Sequence, residues 1–199
     1  MTDPLWQSAA HNYAAAGLRE DAARCHRNAG DLRRAVDLYA ELGLHQLAAE
    51  TLIQGNNPIG AAWRLAHFGL DSPAARRVLV DHPAGIVFLE RLVLARCDQL
   101  DGRPDTGAST VLADVQAALA DPAVTDEVSR IEAWAVQLAE SMHRYDLVAL
   151  VFAAAVRGDR GGAGPRWQAW AQKTFHQPIV IPDRDQSMRT AFAGARRWA

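Results

Sequence analysis

The chain of 199 residues lacks several features that common function classes require. Its two cysteines, Cys25 and Cys97, stand far apart and do not form the spaced pairs of a disulfide scaffold or a zinc site. Strand-favouring runs are scarce, and the strongest apolar run, Leu147 to Val156, is too short to span a bilayer. We therefore expect an all-α protein with reduced core cysteines and no membrane span.

Catalytic and cofactor motifs are missing as well. No two of the seven histidines are four residues apart, and the two cysteines are not clustered, so the sequence has no histidine or cysteine set typical of a zinc site. The glycine-rich stretch 158–164 lacks the GK[ST] ending of a phosphate loop. Glu132 and Glu140 lie eight residues apart with no partner carboxyl group, and we interpret both as solvated. The sequence thus predicts no catalytic residue, no metal and no cofactor, and indicates that the chain is not an enzyme.

Lysine is almost absent, since Lys173 stands against 20 arginines, which we interpret as the composition of a GC-rich bacterial genome. The start of the chain has no basic segment followed by an apolar run, so we expect a cytoplasmic protein without a signal peptide. The net charge of −2 divides into +5 for residues 157–199 and −7 for the rest. Such asymmetry can mark a surface for an acidic partner, whereas a pI near 6.4 argues against nucleic acid.

A repeat organises residues 5–69. Each unit has a small pair, a larger residue three positions on, and a closing glycine. The pairs are Ala9-Ala10, Ala22-Ala23, Ala35-Val36, Ala48-Ala49 and Ala61-Ala62; the larger residues are Tyr13, His26, Tyr39, Leu52 and Leu65; the glycines are Gly17, Gly30, Gly43, Gly55 and Gly69. The glycines are 13, 13, 12 and 14 residues apart, a period typical of one short helix and a tight turn.

The unit predicts stacked helices because its small pair and larger residue share one helix face. Alanines allow neighbouring helices to approach closely, and the glycine suits the left-handed residue that often ends a helix. Asp31 is placed to cap the helix that follows Gly30. The predicted fold is a right-handed α-solenoid of short antiparallel helix pairs, with a more irregular helical C-terminal part.

The pattern of small pair, larger residue and Ala-Gly, with Leu or Asp following, resembles the tetratricopeptide and clathrin-heavy-chain types of α-solenoid repeat over residues 5–69 only. Its hairpin of roughly 26 residues is shorter than the usual tetratricopeptide unit of about 34. Relatives by this pattern are usually adaptors, so the resemblance implies a protein that holds peptides or other subunits.

We divide the chain into repeats over 1–70, further packed helices of the same domain over 71–157, and a glycine-rich loop with a basic, tryptophan-rich segment over 158–199. A loop is predicted over 101–109. Gly158 to Gly164 is interpreted as a linker, mobile or open to a ligand. Residues 178–182 read as an edge strand or docking segment, and 183–197 as a last helix.

Function is predicted as a non-enzymatic scaffold that binds a peptide or partner subunit through the solenoid surface. Candidate contacts off the apolar positions are Arg24, Arg27, Arg34, His45, Gln46 and Arg64. Candidates in the basic C-terminal segment are Trp167, Trp170, Arg189, Arg196 and Trp198, whose tryptophans are either core or interface residues.

Three alternatives stay open. The chain could be a regulatory or assembly subunit of a bacterial signalling or defence system, docking through its C-terminal segment. It could be a nucleic-acid-associated factor that uses the same segment, which salt-dependent binding would reveal. It could also be an enzyme with a site beside Asp105 in the 101–109 loop.

Overall fold

The computed structural model describes residues 3–180, and every regular element in this part of the chain is an α-helix. The chain divides into an N-terminal unit, Met1–Arg103, and a C-terminal unit, Pro104–Ala199. The N-terminal unit contains α1 (Pro4–Ala15), α2 (Arg19–Asn28), α3 (Leu32–Glu41), α4 (His45–Gln54), α5 (Pro58–His67), α6 (Ser72–Asp81) and α7 (Val87–Leu100). The C-terminal unit contains α8 (Thr106–Ala120), α9 (Val128–Ser141), α10 (Tyr145–Arg157) and α11 (Ala163–Phe175).

The predicted all-α class is confirmed, and the N-terminal unit is a helical repeat in which each helix from α1 to α7 packs on the next. No helix within residues 3–180 combines the length and apolar character that crossing a membrane requires. The loop predicted over 101–109 is shorter than expected, because α8 already begins at Thr106.

The small pairs of the repeat form the contacts between helices, as predicted. Ala22, Ala35 and Ala48 are fully buried, and Tyr39 is 2% exposed. Ala23, Ala35, Ala48 and Tyr39 belong to one apolar cluster, against which the leucines of α3 and α4 pack. Methyl side chains at the crossing points therefore let neighbouring helices approach while the larger residue fills the space between them.

The closing glycines act as predicted in the first three units. Gly17, Gly30 and Gly43 have φ between 73° and 81°, a left-handed conformation that costs glycine little. The next N–H in each case bonds to the carbonyl of the larger residue of the unit, for example Leu44 N to Tyr39 O at 2.8 Å. This is the Schellman arrangement, which satisfies backbone carbonyls that a helix end leaves open.

The last two units differ from the prediction. Asn56 (φ 57°) and Leu70 (φ 53°) take the left-handed conformation, one residue after Gly55 and Gly69. Asparagine tolerates this region through its short polar side chain, whereas leucine does so at a cost. Gly55 and Gly69 instead lie where neighbouring atoms are close, because a Cβ on Gly55 would come within 3.3 Å of Leu32 Cδ1.

The C-terminal unit is built around α10 and a group of aromatic rings. Trp167 is fully buried and Trp170 is nearly so, and their ring centres are 5.3 Å apart. The ring of Phe152 on α10 meets that of Trp167 at 5.7 Å. Trp167 Nε1 donates to the carbonyl oxygen of Ile179 at 2.5 Å, so the stretch that includes Ile179 docks on α11 and forms no strand within the described residues.

The interpretation of Glu132 and Glu140 as solvated is wrong. Glu132 is 3% exposed and forms a bidentate ion pair with Arg166, with N–O distances of 2.7 and 2.8 Å. Glu140 Oε1 accepts a hydrogen bond from Trp170 Nε1 at 2.7 Å. The hydrogen bond to Glu132 also raises the pKa of Arg166. Both carboxylates therefore attach α11 to α9.

The glycine-rich stretch 158–164 is a tight turn between α10 and α11, and not an open loop. Gly158 is buried against the last turn of α8, where a Cβ would lie 2.0 Å from the carbonyl oxygen of Leu119. Arg160 donates from Nε to Leu119 O at 2.9 Å and from Nη2 to Ala118 O at 3.2 Å. These bonds satisfy carbonyls at the C-terminus of α8, which the end of a helix leaves without intrahelical partners.

Candidate functional site

The end of α5 carries an aromatic and cationic group of side chains. Arg64, His67 and Phe68 are three and four residues apart, so they lie on one face of the last turn. Arg64 Cζ lies 5.1 Å from the centre of the Phe68 ring, and the His67 ring meets Phe68 edge-on at 4.8 Å. His45, the first residue of α4, completes the group at 6.1 Å from Phe68. We call these four residues the Phe68 cluster.

The local backbone explains why the cluster reaches the surface. Phe68 is the C-cap residue of α5, directly before the closing glycine, and 44% of its surface is exposed. A Cβ on Gly69 would lie 3.0 Å from the carbonyl oxygen of Leu65, so glycine allows the chain to turn tightly at the end of α5, beside His45. The start of α5 is fixed by Asn57, whose side chain accepts from Gly60 N at 3.1 Å. A phenyl ring thus faces solvent beside a guanidinium.

The guanidinium group of Arg64 is partly buried. Burial lowers the pKa of Arg64, and the negative charge of Asp37 opposes that shift. No carboxylate within residues 3–180 forms an ion pair with Arg64, whereas Arg76 lies 2.5 Å from Asp98. Removing a charge from water is costly without a counter-charge. An anionic or carbonyl-rich ligand that accepts hydrogen bonds from the Arg64 guanidinium would offset this cost.

The two histidines of the cluster are uncharged at neutral pH. Burial lowers the pKa of His45, and the charge of Arg64 lowers it further. Burial and then the charge of Arg96 lower the pKa of His67 to about 4. The Nδ1 atom of each histidine is buried without a hydrogen-bond partner. The positive charge of the cluster is therefore carried by Arg64 alone.

The His67 environment predicts a pH-dependent stability. His67 has a pKa near 6.5 in the unfolded chain and about 4 in the folded chain. Between these two values the unfolded state binds more protons, so the free energy of unfolding increases with pH. The contribution is at most about 1.4 kcal/mol per pH unit, reduced by solvent screening. Urea unfolding between pH 4.5 and 7.5 should give a flatter pH profile for His67→Gln than for the wild type.

The matched control is His82→Gln, because His82 is exposed. We expect its pH profile to follow that of the wild type. If His67→Gln and the wild type lost stability in parallel on acidification, His67 would not be the buried neutral ring described above.

The structure brings two of the predicted candidates together, His45 and Arg64, and separates the others. Arg24 is exposed and pairs with Asp21 on its own helix. Arg27 turns towards α4, where its Nε donates to Gln54 Oε1 at 3.0 Å. The exposed Arg34 and Gln46 carry no described side-chain bond.

The C-terminal candidates fall into two groups. Trp167 and Trp170 are core residues of the C-terminal unit, so their rings do not reach the surface. Arg189, Arg196 and Trp198, together with the helix predicted over 183–197, lie outside the described residues.

The residues missed by sequence reasoning are His67, Phe68 and the neighbouring Arg96. Their signal was the spacing of Arg64, His67 and Phe68, which places a cation and two rings on one face. His45 was already a candidate from the sequence, but its proximity to Phe68 could not be predicted from spacing, because His45 belongs to the preceding helix. Within the described part of the chain, no three histidine, cysteine or acidic side chains come together as a metal site.

Comparison with protein-family models, with curated proteins and with solved structures found no match for this chain. The helical repeat is therefore defined by the sequential packing of α1 to α7 and by the sequence pattern. The likeness to tetratricopeptide or clathrin-type repeats stays an interpretation of residues 5–69.

Proposed function

We propose that this chain is a non-enzymatic cytoplasmic scaffold that binds a peptide or partner subunit through the surface of its helical repeats. The observation that supports the proposal most directly is the Phe68 cluster. It combines an exposed aromatic ring with a partly buried guanidinium that forms no ion pair within residues 3–180. Aromatic and arginine side chains contribute most of the affinity at protein interfaces, particularly where a rigid surface presents them.

The position of the cluster suits this role. His45 and Arg64 come from consecutive helices of the repeat, so packing at the small pairs holds the binding groups in place. A preorganised surface loses less entropy on binding than a mobile one, which favours affinity from few contacts. The adaptor role implied by the resemblance to tetratricopeptide and clathrin-type repeats agrees with such a surface.

The proposal predicts which substitutions weaken binding. Random peptides displayed on phage would be selected on the immobilised full chain, and selected peptides would be measured by isothermal titration calorimetry. Phe68→Ala should reduce the affinity at least about tenfold, because truncating an interface anchor costs more than about 1.4 kcal/mol. Arg64→Gln should reduce it similarly by removing the only charge of the cluster.

Two matched variants serve as controls. Val80→Ala truncates an exposed apolar side chain on α6, and Arg33→Gln neutralises an exposed arginine on α3 that is not among the candidate contacts. Both should bind selected peptides like the wild type. Selection of no peptide at all, or equal losses in the cluster variants and the controls, would count against a scaffold that binds through this surface.

Docking through the C-terminal segment is the alternative use of the chain, and it now depends on residues 181–199. Deleting 158–199 would remove buried Trp167 and Trp170 and would disrupt the C-terminal unit itself. Truncation after Val180 is the appropriate comparison. Peptides whose affinity is lost on truncation after Val180 but is unchanged by Phe68→Ala would favour the regulatory or assembly subunit over the repeat-surface scaffold.

A further inference from the structure

The first helix has an outer face that nothing in the described chain covers. Leu5 is 80% exposed, Trp6 42% and Tyr13 38%. Ala9 lies between them at helical spacing, so the four side chains form one continuous apolar face. We call this the α1 face. An exposed apolar face of this kind is a candidate contact surface, because contiguous exposed apolar patches commonly mark sites of protein association.

Comparison within the repeat shows what is absent. Tyr39 occupies in α3 the position that Tyr13 occupies in α1, and Tyr39 is 2% exposed. Ala35, the counterpart of Ala9, is fully buried, whereas Ala9 is half-buried. In α3 these positions are covered because another helix of the same repeat, α2, packs there. The α1 face therefore has the shape that receives a helix of this repeat.

The composition of α1 indicates which helix can occupy that place. The segment Pro4–Ala15 contains no aspartate, glutamate, lysine or arginine, whereas α2 contains five such residues. Two copies of α1 can therefore meet without like-charge repulsion, and no charged side chain loses water in the contact. An isologous pair uses the same surface on both copies, which a charge-free, apolar face satisfies by itself.

The spacing also matches an antiparallel crossing. Trp6 and Tyr13 lie three and four residues on either side of Ala9. If two α1 helices cross near Ala9 in opposite directions, Trp6 of one copy meets the partner's Tyr13, and the reverse contact forms on the other side. The small side chain of Ala9 permits close approach at the crossing point, as the alanine pairs do inside the repeat.

We infer that the α1 face is a docking surface for a second copy of this chain, through an antiparallel α1–α1 contact with Trp6 stacked on the partner's Tyr13. The contact is confined to one helix per copy, so its area lies near or below the small end of stable interfaces, about 1,200 Å² in total. The dimer accordingly has a dissociation constant in the micromolar range.

Sedimentation equilibrium of the full chain tests this from about 5 to about 200 µM, a range that brackets micromolar association. The mass of the wild type should rise from 21.7 kDa towards twice that value. Tyr13→Asp should stay monomeric, because it places two charges in the contact, whereas Tyr13→Phe should still associate. Val80→Asp adds a charge at an exposed apolar site on α6, away from the α1 face, and should associate like the wild type.

A cross-link locates the contact independently of how well Tyr13→Asp folds. Cys25 and Cys97 are buried, so Ala9→Cys introduces the only accessible thiol in the chain. Mild oxidation should give a disulfide-linked dimer of Ala9→Cys at concentrations where Arg77→Cys, on exposed α6 surface, stays monomeric. A wild-type chain that is monomeric at 200 µM would overturn the inference. The inference would also be overturned if Tyr13→Asp still dimerised and Ala9→Cys gave no cross-linked dimer, because the contact would then lie outside the α1 face.

Discussion

Gly158→Ala is expected to destabilise the C-terminal unit by about 3 kcal/mol, near the upper end for overpacking a protein interior. The added methyl carbon would lie 2.0 Å from Leu119 O and 3.1 Å from Leu119 C. These are backbone atoms of α8, so no side chain can rotate away, and α8 and α10 must separate. The φ of Gly158 is −80°, a value that alanine adopts readily, so the cost is purely steric.

The same turn supplies the control. Gly161→Ala adds a methyl group with no atom within 4 Å, and it should change stability little. Thermal unfolding followed by circular dichroism would give both values, and hydrogen exchange in α8 and α10 would localise the loss. Similar stability for Gly158→Ala and Gly161→Ala would mean that α8 and α10 do not approach as closely as described.

Gly158 also illustrates why sequence reasoning failed in this region. A run of glycines is compatible with a flexible linker and with close helix packing, and composition does not distinguish the two. The distinction depends on Leu119, which lies about 40 residues earlier in the chain. Local patterns cannot reveal such a distance. The same limit applies to Glu132, whose partner Arg166 is 34 residues away.

The repeats were predictable because their contacts are local and periodic. Ala22, Ala35 and Ala48 recur at one spacing, and each is buried for the same reason. The turn geometry of the repeat also recurs in the C-terminal unit, where Arg144 N bonds to Ala139 O at 3.0 Å. There His143 takes the left-handed conformation in place of glycine. A repeat pattern that is defined by its closing glycines therefore does not include this turn.

The Phe68 cluster depends partly on local spacing, like the repeats, and partly on contacts between helices, like Gly158. Its α5 members share a face that the sequence alone defines, and Arg64 was predicted as a candidate contact because it lies off the apolar pattern. Their burial, the absence of an ion pair and the approach of His45 depend on how α4 and α5 pack. Sequence could therefore suggest the residues of a surface but not the partly buried, unpaired charge that makes it a candidate site.

Trp167→Ala is the second substitution with a large expected effect, about 3–5 kcal/mol of lost stability. The indole is fully buried, packs on Phe152 and Trp170, and donates a hydrogen bond to Ile179 O. Its removal leaves a large cavity at the centre of the aromatic group. Trp167→Phe keeps most of the ring contacts and loses the hydrogen bond, so its cost should be nearer about 1–2 kcal/mol.

Gln168→Ala is the matched control, because Gln168 is exposed and also donates to Ile179 O, at 3.2 Å. We expect it to change the free energy of unfolding by less than about 0.5 kcal/mol. Urea unfolding of the three variants would decide between the two roles that the sequence left open for Trp167. A core residue loses stability in proportion to the ring volume removed, whereas an interface residue would leave the isolated chain as stable as before. A loss below about 1 kcal/mol for Trp167→Ala would therefore contradict the core assignment and return the indole to the candidate binding surface.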